Sequence, residues 1–157
     1  MTETETLLTH IRQCRRVDLY TQPLKLSPVE QNLLDHFNQR RNSGEPLQYI
    51  LGETQFRELN LKTDRRALIP RPETELLVDL SIKKIQDHFG KKKLRILDIG
   101  TGSGNIAISL AKALPNSKIT TVDICKDALS LACENAQDND VQIEFIQEDF
   151  KIFSQNL

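Results

Sequence analysis

The sequence has no excess of either charge: 21 basic residues face 22 acidic ones over 157 positions, a net charge of −1. No general field draws such a chain to nucleic acid or to an anionic membrane, and a partner of that kind would need a local patch. Long apolar runs are missing too. The longest span only a few residues, far short of the roughly 20 that cross a bilayer. The amino terminus, Met1-Thr2-Glu3-Thr4-Glu5, lacks the basic start and apolar core of a secretion signal. Cys14, Cys125 and Cys133 are odd in number and without CxxC spacing. Reduced thiols in a cytoplasmic protein are therefore expected, not a disulfide framework. His10, His36 and His88 are scattered without ligand spacing, which argues against a metal centre. Repeats and low-complexity tracts are absent. What remains, 38% apolar and 27% charged, is an ordinary globular composition.

Two regions differ in pattern. Up to about residue 65 the signals are mainly helical. Leu7, Leu8, Ile11 and Cys14 fall on one helix face. Ser27-Pro28-Val29-Glu30 is a capping box with proline at the first helical position. Behind it Val29, Leu33, Leu34 and Phe37 predict an apolar stripe, and Gly44 a left-handed helix end. A short helical turn is expected over Leu47 to Leu51, stopped by Gly52. Phe56 to Lys62 and Ala67 to Ile69 read as extended pieces forming a hairpin that links the regions.

The second region, 66–157, alternates strand and helix. Val78, Ile82, Ile85 and Phe89 predict a helical stripe, and Leu94 to Ile99 a buried strand. A glycine turn follows over Gly100 to Gly104, then a helix from Asn105 to Leu114. Lys118 to Val122 reads as strand, Asp127 to Asn135 as helix, and Val141 to Gln147 as a third strand. Strands separated by helices of this length give a parallel sheet. The fold class expected is α/β, a small helical domain followed by the start of a doubly wound, Rossmann-like domain.

Asp98-Ile99-Gly100-Thr101-Gly102-Ser103-Gly104 carries most of the functional reading. A glycine-rich turn from a strand's carboxyl end into a helix lets a ligand approach the backbone closely. The dinucleotide pattern GxGxxG would need glycine at 105, but that position is Asn105, and glycine falls at 104. Asp98, two residues before the turn, would repel a pyrophosphate, yet it suits a ligand with an ammonium and a sulfonium group. S-adenosylmethionine is that ligand. Asp123, at the tip of the second strand, is placed to accept hydrogen bonds from both ribose hydroxyls. Asp149 after the third strand could accept from the adenine amino group, with Phe150 packing on the purine. A single aspartate at a strand end is more often a cap, but three at successive tips around GxGxG argue for a site.

Three segments then resemble one family: Gly44-Glu45-Pro46-Leu47-Gln48-Tyr49-Ile50-Leu51-Gly52, Ile69-Pro70-Arg71-Pro72-Glu73-Thr74-Glu75 and the glycine turn. Together they look like the release-factor glutamine methyltransferases, also called HemK/PrmC, over about Leu7 to Phe150. The resemblance implies that Gly100, Thr101, Gly102, Ser103 and Gly104 hold the methionine part of the cofactor. It implies that Asp123 binds the ribose, Asp149 and Phe150 the adenine, and that Arg71, Glu73 and Thr74 lie on a loop over the pocket; without the resemblance, Arg71 to Thr74 reads equally well as a linker ending in a helix start. The implied partners are class I release factors, with no direct nucleic-acid contact, no membrane, and a monomeric full-length enzyme.

In that family an Asn-Pro-Pro-Tyr motif orients the acceptor amide, and it is absent from this sequence. No catalytic residue is assigned for that reason. By the resemblance the full sheet has seven strands in the order 3-2-1-4-5-7-6, of which one to three are present, leaving the first as an open edge. The expectation is a front part of the enzyme that binds cofactor weakly and transfers no methyl group alone. The alternatives are a methyltransferase of this fold acting on a ribosomal protein or nucleic-acid base, or a non-catalytic binding fragment. For the latter, Arg15-Arg16 and Arg40-Arg41 are the docking candidates, although solvated helix ends explain them equally well.

Overall fold

The computed structural model describes residues 2–21 and 25–156. Two compact units divide the chain, Met1–Gly52 and Glu53–Leu157. The first contains α1 (Glu3–Arg12), α2 (Asp18–Thr21), α3 (Pro28–Asn42) and α4 (Leu47–Leu51). Capping boxes start both long helices. Thr2 and Glu5 exchange hydrogen bonds before α1, and Ser27 and Glu30 do so before α3. Leu7, Leu8, Leu19, Leu34 and Ile50 form the core, with Ile11, Cys14 and Phe37 packed at its edge. α1 stops two residues short of Cys14 because Gln13 turns left-handed at φ 49°.

The stripe expected on α3 is only half present: Leu34 is buried and Phe37 half-buried, while Val29 and Leu33 face outward. The packed face is Glu30, Leu34, Phe37 and Arg41, spaced i, i+4, i+7 and i+11. Its charges are matched, Glu30 by Arg12 at 3.0 Å and Arg41 by Glu3 at 2.9 Å. Arg15 pairs with Asp18, Arg16 with Glu5 and Arg40 with Glu45. All four candidate docking arginines thus have acidic partners inside their own unit.

The second unit opens with a hairpin, β1 (Glu53–Phe56) and β2 (Leu59–Lys62), paired antiparallel with Phe56 opposite Leu59. This corrects the expected hairpin. Its chain reversal is at Arg57-Glu58, inside the segment read as one extended piece, and Ala67 to Ile69 is not strand. Arg57 adopts φ 53° without being glycine, and its guanidinium pairs with Asp79 at 2.8 Å. Phe56, Leu59 and Leu61 are buried in the core of this unit, so the boundary is at Gly52, not near residue 65.

α5 (Pro72–Phe89) follows, then β3 (Arg95–Ile99), α6 (Asn105–Ala113), β4 (Lys118–Asp123), α7 (Lys126–Asp138), β5 (Glu144–Gln147) and α8 (Phe150–Phe153). The three later strands form a parallel sheet in the order β3-β4-β5, as the alternation predicts. Among the described residues β3 has no partner on its outer edge. Val78 and Ile82 of α5 join Ala107, Ile108, Leu110 and Ile119 in the core, while Phe89, expected on the same stripe, is exposed. No described helix is long and apolar enough to cross a membrane.

Candidate functional site

Parallel order brings the carboxyl ends of β3, β4 and β5 side by side, and with them the three aspartates. Asp98 is the second-last residue of β3, Asp123 the last of β4, and Asp149 stands two beyond β5. Asp98 is opposite Thr121 and Asp123 opposite Gln147. The Glu148 N–H donates to the Asp123 carbonyl at 3.2 Å, which keeps the chain beside β4 as it approaches Asp149.

The glycine turn leaves β3 with the Gly100 N–H still donating to the Val122 carbonyl, at 2.8 Å. Gly102 takes φ +55°, and a Cβ there would meet nothing within 4 Å. Its N–H donates to Asp123 Oδ2 at 3.0 Å, while Asp123 Oδ1 accepts from the Cys125 N–H at 2.9 Å. One carboxylate thus braces both the turn and the start of α7. A carboxylate oxygen has further lone pairs, so Asp123 retains acceptor capacity. Gly104 differs from Gly102. A Cβ on it would approach Ala132 Cβ to 3.1 Å, so its Cα side is closed by α7 and not open to a ligand.

Thr101 and Ser103 are buried, and their hydroxyl oxygens have no hydrogen-bond partner. Buried hydroxyls are nearly always paired, so these two on one turn, Thr101 with only a loose approach to Asp98 and Ser103 with none, mark a place where bonding capacity is held in reserve. Together with the open cradle at Gly100 and Gly102, they fit a zwitterionic amino-acid group better than a bare structural turn.

Burial pushes the Asp98 carboxyl above the ordinary carboxylate range, and the negative charge of Asp123 adds to the rise. The Thr101 and Thr121 hydroxyls oppose it. Thr121 does so by reaching Oδ2 at 3.5 Å, whereas Thr101 is near without meeting hydrogen-bond geometry. A raised carboxyl means the folded state keeps its proton to higher pH than the unfolded chain does. Its contribution to stability is full below the unfolded value, near 3.9, and is lost as pH rises through the folded one. Asp98→Asn is therefore expected to raise the unfolding midpoint at pH 7. The gain should vanish as pH falls toward 4, measured by thermal melts across that range.

Asp149 caps α8, its Oδ1 accepting the Lys151 N–H at 2.8 Å, and Phe150 begins that helix 38% exposed. Glu73 and Thr74 are not on the loop that the resemblance implies but in the first turn of α5, with Arg71 as its N-cap residue, which is the alternative reading of a linker ending in a helix start. Pro72 at the first helical position explains the difference, since its fixed φ starts a helix as readily as it stiffens a loop. The strand expected to be buried, Leu94 to Ile99, is at most half-buried at the edge of the sheet, and Ile99, next to Gly100, is 51% exposed. Ile124, next to Asp123 and 68% exposed, escaped the sequence reading. Asn135 was also missed as more than a helix end, although it sits among Ala128, Leu131, Ala132 and Ala136 on the buried face of α7.

Comparison with known proteins matches residues 1–52 to the PrmC N-terminal domain and residues 90–156 to a methyltransferase domain. The release factor glutamine methyltransferase of Lactococcus lactis is 50% identical over 125 residues, covering 80% of this chain and 45% of the relative. That of Flavobacterium psychrophilum is 46% identical over 143 residues, covering 90% and 50%. The Coxiella burnetii protein of the same name is 39% identical over 141 residues, covering 89% and 50%. The chain spans about half the length of the curated relatives it matches. With both regions matched in order, the chain is similar over most of its length to release factor glutamine methyltransferases, through a PrmC N-terminal domain match followed by a methyltransferase domain match.

Proposed function

We propose that the second unit seats S-adenosylmethionine at the ends of β3, β4 and β5, as the donor side of a methyltransferase acting on a glutamine side chain of class I release factors. The observation that carries this reading is the pair of carboxylates flanking an open glycine turn, Asp98 and Asp123, with the turn's own N–H held by Asp123. Bound there, the cofactor supplies a methyl group on a positively charged sulfur. The chain's residues do the holding. Asp98 faces the ammonium, and that contact offsets the cost of burying its charge. The turn's backbone and the hydroxyls of Thr101 and Ser103 serve the carboxylate, Asp123 the ribose, and Asp149 with Phe150 the adenine. Arg71, Glu73 and Thr74 border the pocket from the start of α5.

The acceptor amide is a poor nucleophile, its lone pair being delocalised into the carbonyl, so it must be held in near-attack geometry. No Asn-Pro-Pro-Tyr for that task occurs in this sequence. The release-factor assignment draws on the names of the relatives, and it carries a cytoplasmic location and a monomeric full-length enzyme with it. The test has two arms. Calorimetry of this chain with S-adenosylhomocysteine should give saturable one-to-one binding, and its absence overturns the cofactor reading. Transfer of labelled methyl by a full-length relative carrying this chain's residues should favour release factor over ribosomes and RNA; preference for either of the latter overturns the substrate.

A further inference from the structure

Asn135 is fully buried, and its amide joins three pieces of chain. Nδ2 donates to the Ser103 carbonyl at 2.9 Å and to the Lys62 carbonyl at 3.2 Å. Oδ1 accepts the Lys62 N–H at 2.7 Å. One side chain therefore takes both backbone groups of the last residue of β2, as a neighbouring strand would, and spends its remaining donor on the glycine turn. Asn139, one helical turn on, donates to the Asn60 carbonyl at 3.1 Å, and Lys62 Nζ pairs with Asp138 at 2.9 Å. α7 is thus stitched along β2, and Asn135 extends the stitching to the turn.

We infer that Asn135 is a positioning residue for the cofactor turn: by holding the Ser103 carbonyl from behind, it fixes how the Gly102–Gly104 backbone faces the amino-acid end of the ligand. The inference rests on the cofactor reading above. The chemistry is specific to asparagine at this place. The site needs two donors and one acceptor from a short planar group. Aspartate keeps the acceptor and loses both donors, setting a negative oxygen against two carbonyls. Glutamine adds one carbon to a fully buried side chain, and alanine leaves three backbone groups without this partner.

A merely structural role would weaken every ligand alike, whereas a positioning role falls on the part of the ligand that the turn holds. The test titrates this chain with S-adenosylhomocysteine and with methylthioadenosine, which lacks the amino-acid end. Measurements are made at a temperature where circular dichroism reports each variant folded. Asn135→Asp should raise the dissociation constant for S-adenosylhomocysteine about tenfold or more and shift that for methylthioadenosine by less than about twofold. Leu114→Ala, at the far end of α6, should destabilise the fold while moving neither constant. If Asn135→Asp does not fold, Asn135→Ser takes its place with the same expectations. Equal loss of both ligands, or wild-type affinity for both, overturns the positioning role. Failure of the unmodified chain to bind either ligand overturns the cofactor reading itself, and the two failures are told apart by that wild-type measurement.

Discussion

Asp123→Ala is expected to weaken S-adenosylhomocysteine binding at least a hundredfold in calorimetric titration. The size follows from what one carboxylate does at the tip of β4. Its two oxygens accept the Gly102 and Cys125 N–H groups, and its remaining lone pairs are those proposed to meet the two ribose hydroxyls. Hydrogen bonds to a charged group contribute about 1.5–3 kcal/mol each, so losing two from the ligand amounts to about 3–6 kcal/mol, and about 1.4 kcal/mol is tenfold in affinity. Removal also frees the turn, which adds an ordering cost on binding. Asp123→Asn is a sharper probe than it looks. Each oxygen already receives a backbone N–H, so either orientation of the amide sets an NH2 group against a donor. The asparagine variant should therefore bind much nearer the alanine variant than the wild type. Wild-type affinity in Asp123→Ala would remove Asp123 from the site and with it the geometric basis of the proposal.

Why the site is so legible in the sequence, and its support less so, comes down to range. Strand, turn and helix from Leu94 to Leu114 follow from local pattern: a run of apolar residues, three glycines spaced by two, then helix formers up to Pro115. The parallel order of β3, β4 and β5 follows from helices long enough to cross over. Each aspartate is then placed by counting from a strand end. The hairpin defeats counting because its reversal uses Arg57 and Glu58, without the glycine or asparagine that marks such turns, and its stabilising contacts come from the core of the second unit. Val29 and Leu33 mislead for a related reason. They share a helical period with Leu34 and Phe37, but which arc of α3 is covered depends on α1, whose Arg12 and Glu3 draw Glu30 and Arg41 to the packed side. Asn135 is non-local as well, joining residues 73 and 32 positions away. The visible hint is a polar amide on an otherwise apolar helix face, and its partners become evident only in three dimensions.

Gly104→Ala is expected to destabilise the second unit by about 2–5 kcal/mol, and the comparison that isolates the cause is Gly52→Ala. The two glycines have nearly the same backbone, φ 84° and ψ 4° at Gly104 against φ 77° and ψ 3° at Gly52. Alanine at either position therefore bears the same left-handed penalty, about 1–2 kcal/mol. Their surroundings differ completely. A Cβ at Gly52 meets nothing within 4 Å, whereas at Gly104 it meets Ile108 Cδ1 at 3.0 Å, Ala132 Cβ at 3.1 Å and the Ala132 Cα at 3.3 Å. Ile108 can swing a methyl aside, but the Ala132 backbone cannot move without lifting α7, and overpacking of that kind costs about 1–3 kcal/mol more. Urea unfolding followed by amide exchange in each unit separates the two terms, because each glycine reports on its own unit. Equal losses would mean that α7 yields freely and that the third glycine of the turn is there for its backbone alone. A larger loss at Gly104 means that it is there to let α7 close against the turn, the same approach that brings Asn135 to the Ser103 carbonyl.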